Sequence, residues 1–275
     1  MLLSYINLLS FINVINIPYD HGANILGSSK AYEILKPELN KLRIQKTYNV
    51  DTKNKNIREI LGDGYFYSRE ILNKNNKPLL IGGVHTIAIS NIAAANEFCK
   101  INNERFGVIW FDAHADFNTI ETLPSKNIHG TPISILCGHT LPMLNMCFEP
   151  MDPFQFNYYG LRDCDSLEFY RIQENNMKIL EDDCDLNNVL CLYDKIHISF
   201  DLDCLDPKSF DKVNTKVNNG LEIQNVLNSL NIIKKSDKLL SMDIVEYNPI
   251  VASSKISNEE SNKIITNVIQ NSFDI

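Results

Sequence analysis

Short apolar runs recur along the chain with polar, helix-length segments between them. The stretches 78–81, 107–111, 156–161 and 196–200 are nearly continuous in Leu, Ile, Val and aromatic residues, the pattern of strands buried on both faces. An earlier run, 11–17, reads as a first core strand. Helices are predicted over 29–35, 57–73, 86–98, 221–234 and 258–270, with longer loops at 124–130, 142–155 and 208–219. Strands alternating with helices predict an α/β fold whose parallel strands are joined by right-handed helical crossovers.

The chain has 275 residues, 44% of them hydrophobic and 22% charged, enough to bury a large core. No repeat and no Pro/Gly/Ser linker divides it, so 1–275 is expected to be a single domain. The apolar opening from Met1 to Ile17 is broken by Asn7, Ser10 and Asn13 and lacks a basic start, which argues against a signal peptide or a membrane span. A net charge of −8 argues against a protein that tracks nucleic-acid phosphates. Seven cysteines with no CxxC pair suit a reducing compartment, and the expected location is the cytoplasm.

Ligands of parallel sheets collect beyond the carboxyl ends of the strands, and three polar clusters fall there. His85 follows strand 78–81; Asp112, His114 and Asp116 follow 107–111; Asp201 and Asp203 follow 196–200. In the run Asp112-Ala-His-Ala-Asp116 the polar residues alternate, so an extended backbone projects them to one side. Taken alone that run reads equally well as a solvated acidic loop, and His85 alone as an ordinary hydrogen-bonded histidine. Together, four carboxylates at the mouth of a core would repel one another unless cations neutralised them. With two imidazoles and no thiolate, the set suits harder ions such as Mn²⁺, and six ligands fit two ions better than one.

The segments Gly82-Gly-Val-His-Thr86, Asp112-Ala-His-Ala-Asp116 and Ser199-Phe-Asp-Leu-Asp-Cys-Leu-Asp-Pro207 resemble, in the expected order, three signatures of the ureohydrolase (arginase/agmatinase) superfamily. The similarity runs from about Val14 to the C-terminal helix. It implies a three-layer α/β/α fold with a mainly parallel sheet of about eight strands, arginase-like, and two Mn²⁺ per chain. One ion would take His85, Asp112, Asp116 and Asp201, the other His114, Asp112, Asp201 and Asp203, with Asp112 and Asp201 bridging. The resemblance also implies a nucleophilic water or hydroxide between the ions, attacking the guanidinium carbon of the substrate.

Further segments are similar to the arginase branch. Ser125-Lys-Asn-Ile-His-Gly130 resembles its SGNxHG loop, which implies that Asn118, Ser125 and Asn127 meet an amino-acid carboxylate and that His129 shuttles protons. Gly160-Leu-Arg-Asp-Cys-Asp-Ser-Leu-Glu168 resembles GLRDxDxxE, which implies that Asp165 and Glu168 hold an α-ammonium. Met242-Asp-Ile-Val-Glu-Tyr-Asn-Pro249 resembles MDxxExNP, with Glu246 as the guanidinium partner. Thr215 occupies the place of a family threonine near the site, whereas Asp206 reads as a turn former. The implied reaction is hydrolysis of L-arginine to L-ornithine and urea by a homotrimer or hexamer.

Val84 replaces the usual aspartate of the GGDHS turn. Loss of such a ligand-orienting carboxylate weakens metal binding by about 10–100-fold. Thr86 keeps a hydroxyl, and Lys126 adds a charge to the 125–130 loop. A related ureohydrolase acting on agmatine, another guanidino acid or formimidoylglutamate would keep the metals and change the loops that Asn127, Asp165 and Glu168 occupy. A non-catalytic binding relative would lack a ligand or the proton shuttle. A deacetylase-like zinc enzyme would lack the paired aspartate segments.

Overall fold

Apolar residues on both faces force the central strands into the middle of the molecule. β4 (Phe106–Phe111) and β8 (Leu239–Val245) are buried at every position, and β7 (Lys195–Asp201) at every position after its first. Around them lie β1 (Ile12–Asn16), β2 (Ile44–Asn49), β3 (Lys77–Ile81), β5 (Phe156–Tyr159) and β6 (Lys178–Leu180). The computed structural model describes residues 11–21, 23–123, 127–139 and 148–274. Its eight strands form one sheet in the order β2-β1-β3-β8-β7-β4-β5-β6, and every neighbouring pair is parallel.

Helices cover both faces. α1 (Ala31–Leu39), α6 (Asp183–Leu190), α7 (Ile223–Lys235) and α8 (Asn258–Ser272) pack Leu35, Val189, Leu230 and Ile269 against one side of the sheet. On the other side α2 (Ile57–Leu72), α3 (Ala88–Ile101), α4 (Pro132–Leu136) and α5 (Ser166–Glu174) contribute Leu61, Ile92, Ile133 and Ile172. The expected three-layer α/β/α architecture is the observed one, and the mainly parallel sheet is parallel throughout.

The pattern-based segments hold with shifted ends. α1 starts two residues later than expected and runs to Leu39, carrying Pro37 within it. β5 stops at Tyr159 because Gly160 turns with φ 101°. α3 begins at Ala88, after a 3-10 turn at His85–Ile87. Strands β2, β6 and β8 and helices α4, α5 and α6 were not among the segments read from periodicity. The 208–219 loop is irregular as expected, while 142–147 of the 142–155 loop and 124–126 of the 124–130 loop lie outside the described residues.

Candidate metal centre and substrate pocket

β3 delivers His85 through a turn that requires glycine. Gly82 and Gly83 have φ of 109° and 69°, and a Cβ on Gly83 would stand 2.6 Å from the Tyr19 carbonyl oxygen. The His85 ring then stacks on Trp110 at a centroid distance of 4.1 Å and an interplanar angle of 7°. Its Nδ1 faces Asp112 Oδ2 at 3.0 Å, Asp201 Oδ2 at 3.1 Å and Asp116 Oδ2 at 3.2 Å. That nitrogen is buried and makes no hydrogen bond.

A second set adjoins the first. His114 Nδ1 lies 3.0 Å from Asp203 Oδ2 and 3.4 Å from Asp112 Oδ1. Within each of the two triads, His85/Asp112/Asp116 and Asp112/His114/Asp203, the ligand atoms fall within 4.8 Å of one another, close enough for one cation. Asp112 belongs to both. It is held by the Trp110 indole N–H on Oδ2 at 3.0 Å and by the His114 backbone N–H on Oδ1 at 2.7 Å. Asp203 Oδ1 accepts from Ala113 N–H at 3.1 Å, and Asp201 Oδ1 from Asp203 N–H at 2.9 Å.

The electrostatics are those of anions crowded out of water. Burial, reinforced by neighbouring aspartates, raises the Asp201 and Asp203 carboxyls above the carboxylate range, and burial with Asp112 takes Asp116 to about 7. Burial would raise Asp112 as well, but His114 and His85 hold it low. Burial pulls both imidazoles down, and the facing carboxylates outweigh it and hold them high. Without cations the six groups satisfy one another only by sharing protons. Divalent ions would neutralise them directly, and four carboxylates with two imidazoles fit hard ions. Cys204 is no competitor, because burial and then Asp203 keep its thiol protonated.

A cavity of about 450 Å³ opens above these groups. His114, Asp116, Asp201 and Asp203 of the cluster line it, while the more deeply buried His85 and Asp112 do not. Of the other expected residues, Asn118, Asn127, His129, Asp165, Glu168, Thr215 and Glu246 line it. Ser125, with Lys126, lies outside the described residues. Asn24, Leu123 and Asp163 also face the cavity and were not foreseen. Asp163 Oδ2 is 3.8 Å from His114 Nε2.

Glu246 and Asp116 adopt φ of 61° and 48°; Asp enters this region at modest cost, whereas Glu rarely does, which marks Glu246 as held there by its surroundings. Glu246 Oε1 accepts the His85 backbone N–H at 2.9 Å and lies 3.8 Å from His129 Nδ1. Burial takes the Glu246 carboxyl to about 8. Burial, with the charges of His114 and His85, takes the His129 imidazole down to about 4, so it is neutral at pH 7. Asp165 is held low by Asn118 and by two backbone N–H groups in spite of its burial, whereas burial raises Glu168.

Two readings of single residues acquire physical content. Asp206 shapes its turn, accepting Lys208 N–H and Gly220 N–H at 3.0 Å each. Val84 is fully buried in an apolar cluster with Ile17, Tyr19 and Val245. Its lack of a carboxylate does not leave His85 without a partner, because the ring's other nitrogen meets Ser199 Oγ at 2.8 Å. Arg162, passed over in the sequence, donates to the carbonyls of Asp203, Cys204 and Val217 at 2.8–3.1 Å and ties the Asp203 turn to the loop bearing Thr215. The only signal for Trp110, Ser199 and Arg162 was their place inside the motifs.

Comparison with known proteins agrees with this geometry. Residues 21–271 match the family model described as "Arginase family". An arginase of Entamoeba histolytica is 34% identical over 216 residues, covering 73% of this chain and 70% of that protein. A Staphylococcus aureus arginase is 31% identical over 241 residues, covering 82% and 78%. The crystal structure of the Entamoeba histolytica arginase in complex with L-ornithine superposes with a TM-score of 0.81 at 26% identity, covering 95% of this chain and 99% of that one.

Proposed function

The chain belongs to the arginase family and is a hydrolase acting on guanidino C–N bonds; on that premise we propose that its substrate is L-arginine, cleaved to L-ornithine and urea with two Mn²⁺. One observation carries the reading. Asp112 is common to two ligand triads that adjoin a cavity lined by acidic groups suited to the substrate's cationic ends.

In this proposal His85, Asp112, Asp116 and Asp201 hold one ion and His114, Asp112, Asp201 and Asp203 the other. When bound, the pair supplies Lewis acidity and makes water a nucleophile near neutral pH. Glu246 takes the guanidinium. A carboxyl held near 8 in the free pocket ionises when a cation arrives, and the planar fork then pairs with both its oxygens. His129, neutral at pH 7, accepts and returns protons at the cavity wall. Asn118, Ser125 and Asn127 meet the α-carboxylate, Asp165 and Glu168 the α-ammonium, and Thr215 closes the same wall.

A single sheet running from Ile12 to Val245 supports one arginase-like domain over 1–275. The described cysteines, all free thiols, support a cytoplasmic location. Among the described residues no helix is long and apolar enough to cross a membrane. We assign the homotrimer or hexamer on the family resemblance.

The test is urea release from L-arginine, agmatine and 4-guanidinobutyrate by Mn²⁺-loaded protein. Arginine should be preferred, and Glu246→Ala should depress all three alike. Preference for agmatine would leave the family standing and remove the arginine assignment.

A further inference from the structure

β7 and β8 carry a polar ladder through an otherwise apolar sheet centre. Ser199 Oγ donates to Asp243 Oδ1 at 2.8 Å. Asp243 Oδ2 lies 2.6 Å from His197 Nε2, and His197 Nδ1 lies 2.7 Å from Ser241 Oγ. The four side chains are fully buried and occupy alternate positions of adjacent strands, in register as Ser199 with Asp243 and His197 with Ser241. Their strand neighbours Ile196, Ile198, Phe200, Met242 and Ile244 are core residues. None of the four lines the substrate cavity.

The ladder ends on His85. A serine hydroxyl has one proton, and that of Ser199 goes to Asp243, so towards His85 Nε2 at 2.8 Å the oxygen is an acceptor. Nε2 therefore carries a proton, and Nδ1 is the ring nitrogen directed at the three carboxylates. Trp110 fixes the ring plane from one face by stacking, and the ladder fixes its rotation within that plane. Buried polar chains are retained only where every member is satisfied, and such chains specify one geometry.

We propose that Ser199, Asp243 and His197 form a positioning relay that presents His85 Nδ1 to a divalent cation, supplying the orientation that the Gly82–Thr86 turn, with Val84, does not. The inference rests on the two-metal reading above. Removing such a partner commonly weakens metal affinity 10–100-fold, and the loss should fall on the ion that His85 holds. The ion held by His114 and Asp203 is reached only through the shared Asp112 and Asp201 and should be retained.

The experiment is Mn²⁺ titration of the metal-stripped full chain by calorimetry, with the electron paramagnetic resonance spectrum distinguishing a coupled ion pair from a single ion. Ser199→Ala and Asp243→Asn should each weaken one ion by about 10–100-fold and keep the other. Because the relay passes through Ser199, the double variant should be no weaker than the weaker single variant. Two ions bound at wild-type affinity in Ser199→Ala, equal weakening of both ions, or additive losses would each overturn the relay. Should Asp243→Asn fail to fold by circular dichroism, Ser199→Ala, which removes one oxygen, decides alone. If wild-type protein takes up no second ion, the metal reading falls and takes the relay with it. If wild-type protein binds two ions and releases urea while Ser199→Ala behaves identically, the relay alone is wrong.

Discussion

Asp165 and Glu168 close a reciprocal capping box at the start of α5. Asp165 Oδ1 accepts Glu168 N–H at 2.9 Å, and Glu168 Oε2 accepts Asp165 N–H at 3.3 Å. Asp165 Oδ2 also accepts from Asn118 Nδ2 at 2.8 Å. The groups assigned to the substrate's α-ammonium are thus set in place by the helix terminus they complete, and truncating one of them mixes two effects.

Asp165→Asn separates these effects, because Asn caps helices as well as Asp but lacks the charge. Its amide N–H would face Asn118 Nδ2 in place of an acceptor oxygen, so stability should fall by about one hydrogen bond, about 0.5–1.5 kcal/mol, and kcat/KM for L-arginine should fall by the value of a charged hydrogen bond, about 1.5–3 kcal/mol or roughly 10–150-fold. Hydrolysis of 4-guanidinobutyrate, which has no α-ammonium, should hardly change. Asp165→Ala should in addition lose about 0.5–2 kcal/mol of stability. Equal loss on both substrates in the Asn variant would remove Asp165 from substrate recognition.

Metal content should follow ligand sharing. Asp112→Ala, which strikes both triads, should leave protein that holds neither ion after dialysis, whereas Asp116→Ala should still hold the ion at His114 and Asp203. Mass-spectrometric metal analysis decides, and two ions in the Asp112 variant would contradict the shared position.

His129→Ala should reduce kcat by about 10²–10⁴-fold, the usual contribution of a general acid–base group, with both ions kept. Metal loss in this variant would make His129 a ligand.

Metal-stripped protein should lose stability as pH rises from 6.5 to 8. Asp116 and Glu246, at about 7 and 8 when folded against 3.8 and 4.5 ordinarily, keep protons in the fold that the unfolded chain has released. His85 and His114, held above 6.5, act in the same sense. Each folded value lies above the unfolded one, so the contribution is complete below the unfolded value and is lost as pH climbs through the folded one. His129, lowered to about 4, acts oppositely, destabilising the fold only as pH falls below 6.5. Tm of chelator-treated protein should therefore fall across 6.5–8, more steeply than that of Mn²⁺-loaded protein. A flat or rising profile of the stripped protein would refute the proton sharing.

Val84→Asp should not restore a missing metal partner. Its carboxyl would enter the apolar cluster of Ile17, Tyr19 and Val245, costing about 1–3 kcal/mol even as a protonated, neutral group without a compensating hydrogen bond and more if ionised, and Mn²⁺ affinity should not rise. A tenfold gain in affinity at unchanged Tm would show that the relay through Ser199 does not replace that aspartate.

The parts of the fold that escaped the sequence pattern did so for identifiable reasons. β2 and β6 are the sheet's edge strands, half exposed and polar in part, so no continuous apolar run marks them. β8 is central, but Ser241 and Asp243 interrupt its apolar run. Those polar positions make physical sense only beside His197 and Ser199 on β7, a pairing set by inter-strand register. α5 and α6, of 9 and 8 residues, are marked by their caps at Asp165 and Asp182 more than by periodicity.

What the sequence determined by itself is the chemistry available and its address. Buried strands can be read because apolar runs are a local property, and the aspartates and histidines follow them directly, so the candidate ligand types and the strand ends that bear them were legible residue by residue. Only the tertiary structure decided how these groups divide the work. That the Asp112 carboxylate adjoins both histidines, that burial takes the His129 imidazole down, that Asp165 caps a helix, and that Ser199 Oγ meets His85 Nε2 all depend on distances of a few ångströms between segments remote in the chain. Hydrogen bonding and charge–charge energies in a buried site vary steeply over such distances, and no local pattern encodes them.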